Sequence, residues 1–381
     1  MKKQLVILKL DGDLREKGFR TTLSIGQESD RYIAMPTEAI GNLPAAPELA
    51  ELLQEHWEEK YRNVGSPSRI KPKRIIYQGP ISKRIAACKA SAEQLEQQFV
   101  RWLEDEQFRE SVNRLREELS RDDISRIIIR TGDRQIQKLP WHCWDFIRRY
   151  PKTEVAFSDL QTGRSPIQKS SKSQSGKVKV LAILGHSEGI NIEADRQLLA
   201  SLPEIETEFL PGPTREKLDE KLYEQAWDII FFAGHSESEM DTGTLYINPH
   251  EAIEIKDIWH ALRKAVERGL QLAIFNSCDG LGLVQRLDDV QIPHMIVMRE
   301  LVPDLVAHKF LKHFLQEFPK SESFYVAVRE ARERLQGLEG EIPCASWLPV
   351  ICENPALVPL TWEDLTGAQE EVPEPALTPL L

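Results

Sequence analysis

The feature that most constrains this chain is a set of unbroken apolar runs in its second half. Each ends in a glycine-containing or polar turn and is followed by a helical pattern. "KVKVLAILG", "DIIFFAG", "LQLAIFNSCDG" and "IPHMIVMRE" show little of the alternation expected of a strand with one wet face. Strands of that kind are buried on both sides, which calls for parallel pairing under two layers of helix. The intervening helices read as "EADRQLLASL", "TREKLDEKLYEQAW" with Thr214 as its cap, "IKDIWHALRKAVERG" closed by Gly269, "VPDLVAHKFLKHFLQEF" with Pro303 in its first turn, and "SFYVAVREARERLQG". "EIETEFLPG" and "SWLPVI" complete the strands, with "GTLYI" as half of a hairpin. The expected fold class is α/β, a mostly parallel sheet flanked by helices.

Ligands of such sheets bind outside the carboxyl ends of the strands. Three turns lie there. "LAILGHSEG" (Leu181–Gly189) and "IIFFAGHSES" (Ile229–Ser238) both end in Gly-His-Ser-Glu, and "NSCDG" (Asn276–Gly280) follows a third strand.

The first half mixes the two classes. "QLVILKL", "KRIIYQG", "SRIIIRTG" and "TEVAFSD" read as strands, and residues 90–120 as one long helix carrying Leu95, Phe99, Leu103, Phe108, Val112 and Leu115. "QTGRSPIQKSSKSQSGK" (Gln161–Lys177) is poor in apolar residues and reads as a linker. "EEVPEPALTPLL" reads as an acidic, proline-rich tail. The expected organisation is an N-terminal α/β lobe over 1–165, a linker over 166–176, a second domain over 177–357 and a tail over 358–381.

Residues 1–176 carry 31 Lys and Arg against 25 Asp and Glu, and residues 177–381 carry 18 against 35, so net charge runs from +6 to −17. An acidic half repels nucleic acid and favours cationic peptides. No apolar run reaches the roughly 18 residues that cross a bilayer. The opening "MKKQLVILKLDGD" reads as a first strand rather than a leader, so the expected location is cytoplasmic, with neither membrane nor nucleic acid as a partner. Five scattered cysteines form no CxxC pair, so no metal site and no disulfide framework is expected. "WHCW" (Trp141–Trp144), read as a strand segment, is expected to pack as an aromatic corner rather than to bind metal.

Three chemistries fit the turns. Gly185-His186-Ser187-Glu188-Gly189 matches the G-x-S-x-G elbow, which makes Ser187 a candidate serine nucleophile. The strand before it opens its domain, however, and "INIEAD" delays the helix that an elbow needs at once. The second copy has a different partner: Cys278 lies 43 residues beyond His235, at the end of another apolar strand. On neighbouring strands the two side chains share one rim, where an imidazole can take the thiol proton and later protonate the leaving amine. A lone strand-end cysteine is usually a small buried apolar residue and a lone loop histidine is usually solvated. It is the pairing, with glycines around both, that points to chemistry. Backbone N–H groups at Cys278 and Ser236 are the candidate oxyanion donors. A phosphate site lacks both GxGxxG and a P-loop lysine.

"FFAGHSES", "GLQLAIFNSCDGLGL", "IPHMIVMREL" and "YVAVREARERLQGLE…PCASWLPVI" together resemble the CHAT family of caspase-like, clan CD cysteine peptidases, densely from about Val178 to Pro355. A looser likeness runs back through "ISRIIIRTGDRQIQKLPWHCWDF". The resemblance implies a caspase-like α/β sandwich, a degenerate and catalytically silent caspase-like unit for the N-terminal lobe, and a dyad of His235 as base and acid with Cys278 as nucleophile. Ser236 stands where caspases usually carry glycine. In that family a pocket beside the first strand and the cysteine strand reads the substrate's P1 side chain. Glu188, Asp195 and Asp279 are the acidic candidates, which would select Arg or Lys; the same residues also suit helix capping or a solvated face.

The expected function is a cytosolic cysteine endopeptidase of a bacterial signalling or defence pathway, without cofactor, acting on peptide or protein substrates under the control of a partner protein. Basic P1 selection would make Arg164, Lys169, Lys172 and Lys177 sites of self-cleavage. The alternatives are a non-catalytic caspase-like adaptor and a serine hydrolase using Ser187.

Overall fold

The computed structural model describes residues 2–28, 33–65, 68–69, 79–160, 176–239, 242–278, 280–287 and 290–367. The strands are β1 (Lys3–Asp13), β2 (Gly18–Glu28), β3 (Ile33–Leu43), β4 (Ile124–Thr131), β5 (Thr153–Ser158), β6 (Val178–Leu184), β7 (Ile205–Pro211), β8 (Ile229–Ala233), β9 (Ser236–Glu239), β10 (Thr242–Tyr246), β11 (Ala252–Glu254), β12 (Leu272–Asn276), β13 (His294–Met298) and β14 (Pro349–Glu353). Eleven of them form one sheet in the order β3-β2-β1-β4-β5-β14-β13-β12-β8-β6-β7, and β9, β10 and β11 form a small second sheet.

The second half follows the apolar runs. Every residue of β8, β12 and β13 is buried, whereas β7, at the sheet's end, is half wet. Helices Ile192–Ala200, Arg215–Glu224, Trp259–Glu267, Asp304–Glu317 and Phe324–Arg334 flank the sheet. Thr214 caps its helix by accepting from the Lys217 amide at 3.3 Å, and Gly269 takes a φ of 117° past the end of its own. "GTLYI" supplies β10, which pairs on both sides rather than as one half of a lone hairpin.

The two halves meet through β14. It runs parallel to β5 and antiparallel to β13. Strands β1, β4 and β5 therefore run opposite to β6, β8, β12 and β13, and the two sets of strand ends open on opposite rims. A buried ion network spans the junction. Arg126 on β4 bonds Glu28 on β2, Glu353 on β14 at 2.9 Å and the carbonyl of Leu357. Glu353 also lies 3.2 Å from Nδ1 of His294 on β13. Burial pushes the Glu353 carboxyl upward, but Arg126 and His294 outweigh it and hold it below its ordinary value.

The first half departs from expectation in three places. Strands β2 and β3 were not foreseen, because Thr, Ser and Gln fill the wet positions of "GFRTTLSIGQE" and leave only Phe19, Leu23 and Ile25 as an apolar face. Asp13 closes the preceding turn by accepting from the amides of Glu16 at 2.6 Å and Arg15 at 3.1 Å. The long helix is two, Ile81–Leu103 and Arg109–Glu118, broken where Asp105 accepts the Gln107 amide at 2.9 Å. "WHCW" begins as a 3-10 helix (Trp141–Cys143), not a strand, because Pro140 precedes it and turn bonds close it. It does pack as an aromatic corner: Trp141 meets Phe99 edge-on at 5.2 Å and Trp144 at 6.1 Å. Burial holds the His142 imidazole well below its ordinary pKa and pushes the Cys143 thiol up to about 12. "KRIIYQG", apart from Gly79, residues 161–175 and residues 368–381 lie outside the described residues; the start of the expected 358–381 tail is instead packed, with Leu360 buried and a helix over Trp362–Thr366 that buries Trp362 and Leu365. Among the described residues no helix is long and apolar enough to cross a membrane.

The Arg126→Met variant strands Glu28 as a buried carboxylate and leaves Glu353 with His294 in place of a full cation. It should lose about 3–5 kcal/mol of unfolding free energy, read as a lower urea midpoint. An unchanged midpoint would show that the network does not hold the halves together.

Candidate active site

Register places the site. In the sheet Leu184 of β6 pairs with Ala233 of β8, and Ala233 pairs with Asn276 of β12. Two residues beyond each lie His186, His235 and Cys278, so three neighbouring parallel strands deliver them to the same level of one rim. The repeated Gly-His explains itself there. The two turns cross-bond, Gly185 N to Ala233 O at 2.8 Å and His235 N to His186 O at 3.0 Å. A Cβ on Gly185 would meet the Tyr246 carbonyl at 2.5 Å, and one on Gly234 would meet Gly185 Cα at 3.1 Å. The two imidazoles lie 5.2 Å apart, centroid to centroid.

His235 is fully buried, and its Nε2 lies 2.8 Å from the Glu188 carbonyl. A carbonyl only accepts, so Nε2 carries the proton and Nδ1 holds the lone pair. Nδ1 makes no hydrogen bond among the described residues. Burial lowers the imidazole pKa below its ordinary value, against the smaller upward pull of the Glu188 and Arg69 backbones. The lowered pKa favours the neutral ring, in which Nδ1 is the basic nitrogen.

Cys278 is also fully buried. The Val302 amide donates to its Sγ at 3.3 Å, and the thiol lies 3.8 Å from the Val302 carbonyl as donor. The Ser236 hydroxyl donates to the Cys278 carbonyl, tying the second Gly-His-Ser turn to the cysteine turn. Ser236 also opens β9, opposite Leu245.

The acidic candidates separate. Asp195 is fully buried in the first turn of its helix, 3.0 Å from Nδ1 of His308 and 2.6 Å from Nη2 of Arg69. Glu188 turns its carboxylate to solvent, 72% exposed, and serves the site through its carbonyl. Asp279 lies outside the described residues. Ser187 is half-buried in a loop, residues 185–191, that separates β6 from the next helix, so the sharp strand-to-helix turn of a nucleophile elbow is absent.

Several residues of this site gave no usable signal in the sequence. Asp304 binds Arg69 through Oδ1 at 2.9 and 3.0 Å and accepts the Asn191 amide at 3.1 Å, yet reads only as a helix start. Arg69 comes from the other half of the chain. Val302 and His308 read as a helix stripe and a wet face. Elsewhere, His56, Cys88 and Cys344 place three potential ligand atoms within 4.8 Å of one another, a group that scattered cysteines do not announce. Burial lowers His56 to about 4 and raises the Cys344 thiol well above its ordinary value. A structural zinc site takes four such ligands, one more than this group supplies.

A profile of the CHAT domain matches residues 89–352, more than half of the chain. Two crystal structures of the Saccharomyces cerevisiae separase–securin complex share the fold. One has a TM-score of 0.51 at 12% identity and the other 0.50 at 11%. Each alignment covers 92% of this chain and 30% of the chain it matches, so the likeness is to under a third of a larger protein. No curated protein sequence matches. The mostly parallel sheet flanked by helices, of the caspase-like fold class, is shared with these separase structures. This chain belongs to the CHAT-domain family.

Proposed function

We propose that the chain is a cysteine endopeptidase in which His235 activates Cys278. The observation that carries the reading is the shared register: both residues stand two positions beyond the paired Ala233 and Asn276, on adjacent parallel strands. In this reading His235 Nδ1 takes the Sγ proton, and the sulfur attacks the substrate carbonyl. The tetrahedral oxyanion is met by the backbone N–H groups of Cys278 and Ser236. His235 then returns the proton to the departing amine, and water hydrolyses the thioester by the same route in reverse.

Asp195, joined by Asp304, is the proposed floor of the P1 pocket. Two carboxylates that already hold one guanidinium suit arginine or lysine in the substrate. Lys177 is exposed at the start of the second half and is one proposed site of self-cleavage; Arg164, Lys169 and Lys172 lie outside the described residues. None of the five cysteines is joined in a disulfide, which suits a reducing cytoplasm. Separase appears in the matched structures in complex with securin, and we extend to this chain a controlling protein partner in a bacterial signalling or defence pathway.

One observation favours a second reading, a non-catalytic caspase-like adaptor: Cys278 is fully covered. Hydrolysis separates the two. On fluorogenic peptides ending in arginine, Cys278→Ala should fall to background and His235→Ala should lose about 10²–10⁴ in kcat, while Ser187→Ala keeps wild-type rates. No turnover on any peptide by wild type or by Arg69→Ser favours the adaptor, and loss on Ser187→Ala alone restores the serine hydrolase.

The pH profile carries a sign. His235 must be neutral to act as base, and burial lowers its pKa. The acid limb of kcat/KM should therefore lie below the ordinary histidine value of about 6.5. A limb above that value would contradict the neutral, buried base.

A further inference from the structure

We propose that the substrate groove of this protein is filled by its own chain, with Ser68 and Arg69 lying where an extended peptide binds and Arg69 seated as the resident P1 side chain. The inference rests on the peptidase reading for the name of the pocket, but the occupancy stands on separate contacts.

The backbone comes first. Ser68 makes an isolated antiparallel bridge with Pro303, and the Arg69 amide donates to the Val302 carbonyl at 3.0 Å. These contacts set residues 68–69 antiparallel to the loop backbone at Val302–Pro303, as an extended peptide pairs with a second backbone. The N–H of the same Val302 donates to the Cys278 sulfur at 3.3 Å. A single residue thus bonds both the backbone of Arg69 and the proposed nucleophile. The Arg69 backbone also bears on the His235 ring.

The side chain completes the match. Arg69 is fully buried, with Nη2 at 2.6 Å from Asp195 and 2.9 Å from Asp304. Its Nε reaches Asp304 at 3.0 Å, and Nη1 donates to the Asn276 carbonyl at 2.9 Å, at the end of the cysteine strand. The planar fork of an arginine suits this set, and a lysine reaches only part of it. A buried pair of this kind adds little stability over an apolar filling, so stability alone does not explain two carboxylates around one guanidinium. A pocket built to receive that group from a ligand does.

The groove therefore takes a peptide with an extended backbone and an arginine side chain. While Arg69 occupies it, a substrate arginine is excluded, and withdrawal of residues 68–69 must precede turnover.

The test uses the full chain in a Cys278→Ala background, so that binding is read without catalysis. Arginine amide is the probe and citrulline amide the control. Arg69→Ser should bind arginine amide at least tenfold more tightly than the chain that keeps Arg69, with no gain for citrulline amide. With Cys278 restored, the same substitution should lower KM for arginyl peptides at least tenfold. A folded Arg69→Ser chain with unchanged affinity overturns the proposal. Should the variant not fold, hydrogen exchange on the chain that keeps Arg69 decides. The Arg69 amide should exchange several-fold faster at saturating arginine amide, and unchanged exchange overturns the proposal. Tight binding by Arg69→Ser without hydrolysis by any variant supports the occupied pocket and removes the peptidase reading instead.

Discussion

The parallel pairing of β6, β8 and β12 is the constraint on which the rest depends. These strands are almost wholly buried on both faces, and a slip of one residue would press every side chain into a space packed for another. Register is therefore fixed by the core, and the core in turn fixes the rim. His186, His235 and Cys278 need no device of their own to reach one level; they inherit it from Leu184, Ala233 and Asn276. The glycines refine this. With no Cβ on Gly185 or Gly234, the two Gly-His turns approach closely enough to exchange backbone bonds. The Gly-His-Ser-Glu repeat is thus one structural solution used twice, once to carry His235, the proposed base, and once to hold its ring through the carbonyl of Glu188.

The reversal at β14 has the opposite effect on the first half. The carboxyl ends of β1, β4 and β5 open away from Cys278, so that lobe contributes to the site by reaching across rather than from its own strand ends. It does so between Tyr61 and Arg69. The Tyr61 hydroxyl donates to the Leu301 carbonyl at 2.7 Å, Arg62 and Lys138 hold Glu300 at 2.7 and 3.1 Å, and Arg69 follows. The segment from Glu300 to Asp304 is thereby gripped by the opposite half of the chain. The charge asymmetry acquires a second meaning here. Several bases of the positive half, Arg62, Arg69, Arg126 and Lys138, meet acids of the negative half inside the molecule. Part of the acidic excess is matched internally, alongside its effect on solubility.

What the sequence disclosed and what it hid follow from the range of the interactions. His235 and Cys278 were legible because each ends an apolar run, and the parallel order of such runs is dictated by burial. Helix caps such as Thr214 were legible because capping is local. β2 and β3 were not, since their inward face alternates with Thr and Ser and carries few apolar residues. The break at Asp105 was hidden because helical spacing continues across it. Arg69 was beyond reach, because its partner Asp304 lies 235 residues away and nothing local marks either residue as half of an ion pair. The same holds for His56 and Cys344, 288 residues apart.

The central claim is that the sulfur of Cys278 is the nucleophile and that His235 is its base. An arginyl acyloxymethyl ketone, which alkylates a nucleophile seated beside an arginine pocket, tests it most directly on the Arg69→Ser chain, with the adduct located by mass spectrometry. The account predicts a single adduct on Cys278 that forms about 10²-fold more slowly in His235→Ala. An adduct on Ser187 or on one of the other four cysteines, or equal rates with and without the imidazole, would contradict it.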